Sequence, residues 1–149
     1  MITFKNQIEI QAPASAVWKI MIDVENWHEW TSTILAVKKL NGRGFDIGTK
    51  LLIEQPELPA AVWQIFEIAE ERSFSMKKGN LFLQVIAGHQ MEPIEAWTLV
   101  TLSLDFSGLF AKPVAKKYQL MMERYLQTEI AGLNKACENL RQEYLIKEI

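Results

Sequence analysis

The sequence predicts an α+β fold: a curved, seven-stranded antiparallel sheet around a long C-terminal helix, with two short helices after the first strand. Three observations predict it. The opening residues alternate apolar and polar. Residues 33 to 106 form a series of short apolar runs cut by turn residues. From residue 112 onward the apolar residues recur at helical spacing.

In the opening segment, residues 2–11, Ile2, Phe4, Ile8 and Ile10 fall on one face, and Thr3, Lys5, Gln7 and Glu9 on the other. Period two of this kind is a half-buried strand, with Asn6 as the polar residue on its apolar side. Pro13 then starts a helix that runs through Ile22, since proline suits a first helical turn. Asp23 opens a second helical turn, closely followed by Trp27 and Trp30. The six further strands are expected over 33–40, 49–55, 61–69, 72–78, 81–92 and 96–106. Turn chemistry lies between them at Asn41-Gly42, Gly44, Gly48, Pro56, Pro59, Lys78-Gly79-Asn80 and Pro93. Connections this short favour an antiparallel meander. Leu81, Leu83, Val85, Ala87, His89 and Met91 are expected to share the inward face of one strand, and Val100, Leu102, Leu104 and Phe106 that of the next.

Residues 112 to 145 read as one helix, about 50 Å long at 1.5 Å per residue. Val114, Tyr118, Met121, Met122, Tyr125, Leu126, Leu133, Ala136, Leu140 and Tyr144 cluster on one side of it. Lys116, Glu123, Arg124, Gln127, Asn134, Glu138 and Arg141 lie opposite. That length exceeds most small domains, so an overhang, or a break near Gly108–Pro113, is expected.

The 149 residues fit a single domain, 1–149, large enough to bury a core without staples. With 16 basic and 18 acidic residues the net charge is -2, which gives no broad footprint for nucleic acid or an anionic membrane. The basic pairs Lys38-Lys39, Lys77-Lys78 and Lys116-Lys117 read as solvated. One cysteine, Cys137, excludes an intrachain disulfide and reads as a packing residue on the edge of the helical stripe. Neither a signal peptide nor a membrane span is expected, which makes cytoplasmic residence the default. The two histidines, His28 and His89, offer no zinc-ligand spacing, and no phosphate-cradling glycine loop or nucleophile elbow occurs. No metal and no cofactor are expected.

A helix about 10 Å wide cannot fill the concavity of seven twisted strands. The gap is closed by bulky side chains or by a ligand. The helix's inward stripe is rich in Met and Tyr, and methionine adapts to irregular gaps and variable ligands.

Short motifs in a fixed order reinforce this picture. They are Ala12-Pro13-Ala14-Ser15-Ala16-Val17-Trp18, Asp23 through Trp27, Trp30, Phe45-Asp46-Ile47-Gly48-Thr49, and Leu58-Pro59 leading to Trp63. Arg72-Ser73-Phe74, Gly88-His89 with Glu92-Pro93, Thr101-Leu102-Ser103-Leu104 and Ser107-Gly108 follow. Together they resemble the START-like, birch-pollen-allergen-like helix-grip superfamily (SRPBCC), and within it the polyketide cyclase/dehydrase and lipid transport family. The resemblance implies a cavity for lipid-like or polyketide-like molecules. Two departures stand out: His28 replaces a usual proline, and Ile94-Glu95-Ala96-Trp97 replaces a glycine-rich tip.

Glu129 is the sharpest anomaly, a carboxylate in the middle of the apolar stripe. There it must be paired, wetted or protonated, because a dry unpaired carboxylate costs several kcal/mol. His89 sits on the apolar face of its strand, and Asn6 and Gln55 are further inward polar residues. These four are the candidate polar groups of a pocket walled by Trp63, Phe74, Val85, Val100, Leu102, Tyr118, Met122 and Tyr125. Glu129 and His89 are the candidate acid–base residues if any reaction occurs there.

The leading reading is a binding module for a small hydrophobic or lipid-like ligand. A cyclase/dehydratase-type enzyme ranks second, for want of a nucleophile–base pair. A third reading is a protein-interaction module, self-association into a homodimer included, built on Trp97 and the overhanging helix end.

Overall fold

The computed structural model describes residues 1–147, with side chains through residue 140. Arg141 and Tyr144, assigned above to opposite sides of the helix, therefore lie outside the described side chains. The chain begins with β1 (Ile2–Ile10), α1 (Ala14–Ile22) and a 3₁₀ helix (Val24–Glu29). The strands β2 (Ala36–Lys39), β3 (Lys50–Glu54), β4 (Ala61–Ala69), β5 (Ser73–Gly79), β6 (Gln84–Ile94) and β7 (Trp97–Ser107) follow, and α2 (Ala111–Lys147) closes the fold. All seven strands form one antiparallel sheet in the order β1-β7-β6-β5-β4-β3-β2.

α2 packs mainly on β1 and β7, and α1 reaches both α2 and the β6–β7 pair. The 3₁₀ helix covers β2. One side of the sheet is thus covered directly by α2, and β3 to β6 face it across a gap. No helix among the described residues is long and apolar enough to cross a membrane.

Several boundaries differ from the sequence reading, each for a local reason. β2 is shorter than 33–40: Thr33 is tied into a local turn, its N–H and hydroxyl both meeting the Thr31 hydroxyl, and only single backbone bonds from Leu35 to Glu54 and from Leu40 to Lys50 extend the pairing at either end. Leu81 is not on the inward face of β6 but 93% exposed. It belongs to a loop closed by Asn80, whose Oδ1 accepts from the backbone N–H of Phe82 at 2.9 Å and of Leu83 at 3.3 Å. Pro93 is not a turn. It pairs with Thr98 inside β6, beyond the last β5 partner at Gln90, so its missing N–H costs no ladder bond on that side. α2 is continuous from Ala111: Gly108 (φ +105°) precedes it, and Pro113 falls in its first turn, where no intrahelical N–H is needed.

One glycine sets where α2 sits. A Cβ at Gly132 would lie 1.9 Å from the Trp30 carbonyl oxygen, so only glycine lets the helix approach that backbone. Gly132→Ala normally gains about 1 kcal/mol in a helix interior. Here the sign reverses: the variant is expected to lose about 1–3 kcal/mol by overpacking, read as a lower urea midpoint at unchanged slope.

Candidate functional site

Between α2 and the β3–β7 part of the sheet lies a cavity of about 280 Å³. Its walls are mostly apolar: Ile53, Met76, Val85, Leu102, Phe106 and Met122 among them. The half-buried Leu58, Leu83, Val114 and Tyr118, with exposed Pro59, mark where it approaches solvent.

The deep end is built from His89, Trp27 and Glu129. His89 pairs across the sheet with Phe74, and the two rings stack at 4.0 Å and 9°. Trp27 flanks the imidazole at 5.7 Å and is itself pinned by its Nε1–H donating to the Met21 carbonyl at 2.9 Å. Phe74 is held in turn edge-on by Phe45 at 4.9 Å and by Trp18 at 6.1 Å. This aromatic block fixes His89 but leaves its Nδ1 buried without a hydrogen-bond partner. Burial pushes its pKa down to about 4, against a smaller opposing pull from the Phe74 backbone.

Glu129 projects from α2 toward the same end. Its Oε1 accepts from the Thr33 hydroxyl at 2.8 Å, which is linked in turn to Thr31. A hydroxyl, not a cation, therefore meets this carboxyl. Burial raises its pKa to about 7, and the Thr33 hydrogen bond only partly offsets the rise. A small void of about 20 Å³ touches both Glu129 and His89, room for one water molecule.

The other end carries a second polar group. Lys78 lines the cavity with its amine 4.8 Å from the centre of the Trp63 ring, and burial lowers its pKa. The Trp63 Nε1–H is buried with no acceptor. Lys78 lies opposite Val85 and Phe74 opposite His89, so the two polar ends are four residues apart along the ladder, about 13 Å. Gln55, also in the lining, donates to the Thr33 carbonyl at 3.3 Å, and the Tyr125 hydroxyl donates to the Pro56 carbonyl.

Of the residues named from sequence, Gln55, Trp63, Val85, His89 and Leu102 line this cavity from the sheet side. Tyr118, Met122, Tyr125 and Glu129 line it from α2. Asn6, Phe74 and Val100 do not. Asn6 lies on β1, the strand under α2, where its Oδ1 accepts from the Gln7 N–H at 2.9 Å. Phe74 is wholly buried behind His89. Val100 is wholly buried between Ile8 and Met91 on the neighbouring strands. Sequence reading missed Lys78, taken as solvated, although it shares period-two parity with inward Phe74 and Met76. It also missed Thr33, which carries no periodic signal.

Trp97 is 43% exposed, at a separate groove shared with Cys137. Cys137 itself is buried, which pushes its thiol pKa up to about 12. No group of three or more His, Cys, Asp or Glu side chains among the described residues is placed to hold a metal ion.

The opposed shifts of His89 and Glu129 make a pH prediction. Glu129, raised from 4.5 to about 7, contributes stability that is full below pH 4.5 and lost by pH 7. His89, lowered from 6.5 to about 4, contributes stability that is full above pH 6.5 and lost by pH 4. Between 4.5 and 6.5 folding only moves one proton from His89 to Glu129, so the pair leaves stability flat there. Glu129→Gln is expected to expose a rise of about 3 kcal/mol from pH 4 to 6.5, and His89→Gln a fall of similar size from 4.5 to 7. Urea midpoints at four pH values check this; parallel profiles for all three proteins contradict it.

The family described as polyketide cyclase / dehydrase and lipid transport matches the chain over residues 1–139. No curated protein matches it in sequence. Solved structures share the fold at low identity. Ara h 8.0201 is 12% identical with a TM-score of 0.73, covering 93% of this chain and 98% of that one. A START superfamily protein from Mycobacterium smegmatis is 18% identical with a TM-score of 0.70, covering 93% and 98%. The di-domain ARO/CYC BexL of the BE-7585A biosynthetic pathway is 18% identical with a TM-score of 0.73, covering 93% of this chain and 47% of that one.

Proposed function

We propose that this chain, which belongs to the polyketide cyclase / dehydrase and lipid transport family, holds a small hydrophobic ligand with polar groups near both ends. The observation that carries this reading is the cavity itself: about 280 Å³, apolar along its length, with unsatisfied polar atoms at Trp63 and His89. Proteins rarely bury polar atoms unpaired, so a ligand that pairs them recovers a real cost.

The chemistry of each end narrows the ligand. Trp63 Nε1–H offers a donor with no acceptor, and Lys78 lies over the same ring. That end suits a carboxylate or carbonyl. At the deep end, Glu129 is largely protonated below pH 7 and His89 is neutral, which suits a hydroxyl or carbonyl on the ligand. The apolar stretch between contributes about 25 cal/mol per Å² buried, before ordering costs. The volume lies near the lower end of the range for ligand cavities, which favours a single medium-length chain or a small polyketide over a two-chain lipid.

The test is titration with dansylaminoundecanoic acid, a fluorescent fatty acid, with native mass spectrometry for a co-purified ligand. Met122→Trp, which fills the cavity, is expected to weaken probe binding about tenfold or more. Lys78→Met is expected to weaken acids but not the matching neutral alcohols. A probe that binds wild type and Met122→Trp equally overturns the reading.

One observation favours acid–base chemistry as a second reading: Glu129 and His89 share a void the size of one water. In that case either Glu129→Gln or His89→Gln abolishes turnover of a bound polyketide-like substrate while leaving its affinity within a few fold.

A further inference from the structure

Four large apolar side chains stand out from one end of the molecule. Leu81 is 93% exposed, Phe82 57%, Leu109 74% and Phe110 50%. They sit on two loops, β5–β6 and β7–α2, that are locked together. The Phe110 N–H donates to the Phe82 carbonyl at 2.9 Å, and the two phenyl rings are 6.1 Å apart. Gly108 lies so close beneath that a Cβ there would come within 2.5 Å of the Phe82 carbonyl oxygen. Asn80 closes the other loop from inside. The apolar tips are therefore held out on a fixed frame.

The chain on either side of these tips carries charge of one sign. Residues 72–91 and 106–122, which contain both loops, include no Asp or Glu. Near the loops they carry Lys77, Lys112, Lys116 and Lys117, in a chain whose net charge is -2, while Lys78 is turned into the cavity over Trp63 and Arg72 lies at the far end of β5. Lys112, Lys116 and Lys117 are exposed on the first turns of α2, and Leu120, 82% exposed, follows on the same side as Lys116 and Lys117. The nearest acids along the chain are Glu71, Glu92, Asp105 and Glu123. Of these, Asp105 accepts from the Thr3 hydroxyl and Glu123 from Gln119.

We propose that this end is a docking surface for an anionic lipid bilayer. Its apolar tips enter the headgroup layer, and its lysines face the lipid phosphates. Apolar side chains rimmed by cations suit such an interface, because burial and electrostatic attraction act together. A second copy of this chain fits poorly, since two such faces would bring lysines against lysines. The same two loops lead directly into cavity-lining residues: Lys78 and Leu83 flank one, Phe106 and Val114 the other. Docking would therefore present the cavity's solvent end to the membrane. That consequence rests on the ligand-binding reading; the docking itself does not.

Vesicle flotation tests the proposal, comparing phosphatidylcholine alone with a phosphatidylcholine/phosphatidylglycerol mixture. The protein is expected to float with the mixed vesicles, less so at high salt, and only weakly with the neutral ones. Phe82→Asp/Leu109→Asp is expected to lose about tenfold or more in bound fraction, and Lys116→Glu/Lys117→Glu a similar amount on anionic vesicles alone. Circular dichroism confirms folding, and the lysine variant alone decides if the first pair fails to fold. No association with anionic vesicles, or association unchanged by the lysine reversals, overturns the proposal. Probe binding in vesicle-free solution should be unaltered in the variants. Loss of flotation with retained probe binding separates this surface from the cavity. Flotation without probe binding removes the carrier reading and leaves the surface standing.

Discussion

The width of one helix against the width of the sheet governs the rest of this structure. Seven strands at about 4.8 Å spacing span roughly 29 Å across the hydrogen-bonding direction. α2 with its side chains spans about 10 Å. It settles over β1 and β7, and the 3₁₀ helix takes the opposite edge at β2. What remains between is the inward face of β3 to β6. Side chains from both sides reach into that space without filling it, and wall atoms there lack the dense contacts of an ordinary interior. An empty cavity is thus a standing cost to the fold, and anything that occupies it stabilises the folded chain by mass action.

The polar groups at the deep end follow from how closely α2 can approach its neighbours. Gly132 brings the helix against the Trp30 backbone, one turn beyond Glu129. Trp30 leads straight into Thr31 and Thr33, so the same close contact sets the distance from Thr33 to the Glu129 carboxyl. A hydroxyl chain can satisfy a neutral acid but only partly repays a buried carboxylate. The carboxyl accordingly holds its proton to about pH 7. The imidazole wedged between Phe74 and Trp27 resists gaining one down to about pH 4. Two ionisable groups at one end of an apolar chamber are both kept uncharged near pH 6.

Much of this was legible from spacing alone. Alternation in the first and the last two strands, with turn residues between the others, located all seven strands, and the helical stripe placed Tyr118, Met122, Tyr125 and Glu129 on the inner side of α2. The failures have physical causes. Parity tells which face of a strand is inward, but not whether that inward face meets a helix or a void. Asn6 and Val100 are inward yet lie outside the cavity for that reason. Phe74 is inward but shielded by the ring next to it, a contact set by register across strands. Lys78 was misread because charge was weighed above parity, although a long aliphatic stem can run along an aromatic wall. Leu81 was misread in the opposite sense: parity was carried into a loop where an asparagine side chain had replaced the ladder.

Exposure of Leu81 and Phe82 has its own logic. Nothing in the local geometry requires apolar residues there, because the turn is held by Gly79 and Asn80, and the side chains that follow point outward. Polar residues would suit that frame equally well and would be better hydrated. The same holds for Leu109 and Phe110, which precede α2 and take no part in its core contacts, while Ala111 beside them is buried. Two loops far apart in sequence therefore present large apolar groups at one place, each next to lysines and neither next to an acid in sequence. Single exposed apolar residues are ordinary on protein surfaces. A joined pair of tips, braced by a backbone hydrogen bond and followed along the chain by the exposed lysines of α2, suits a contact made with something apolar beneath a negative surface.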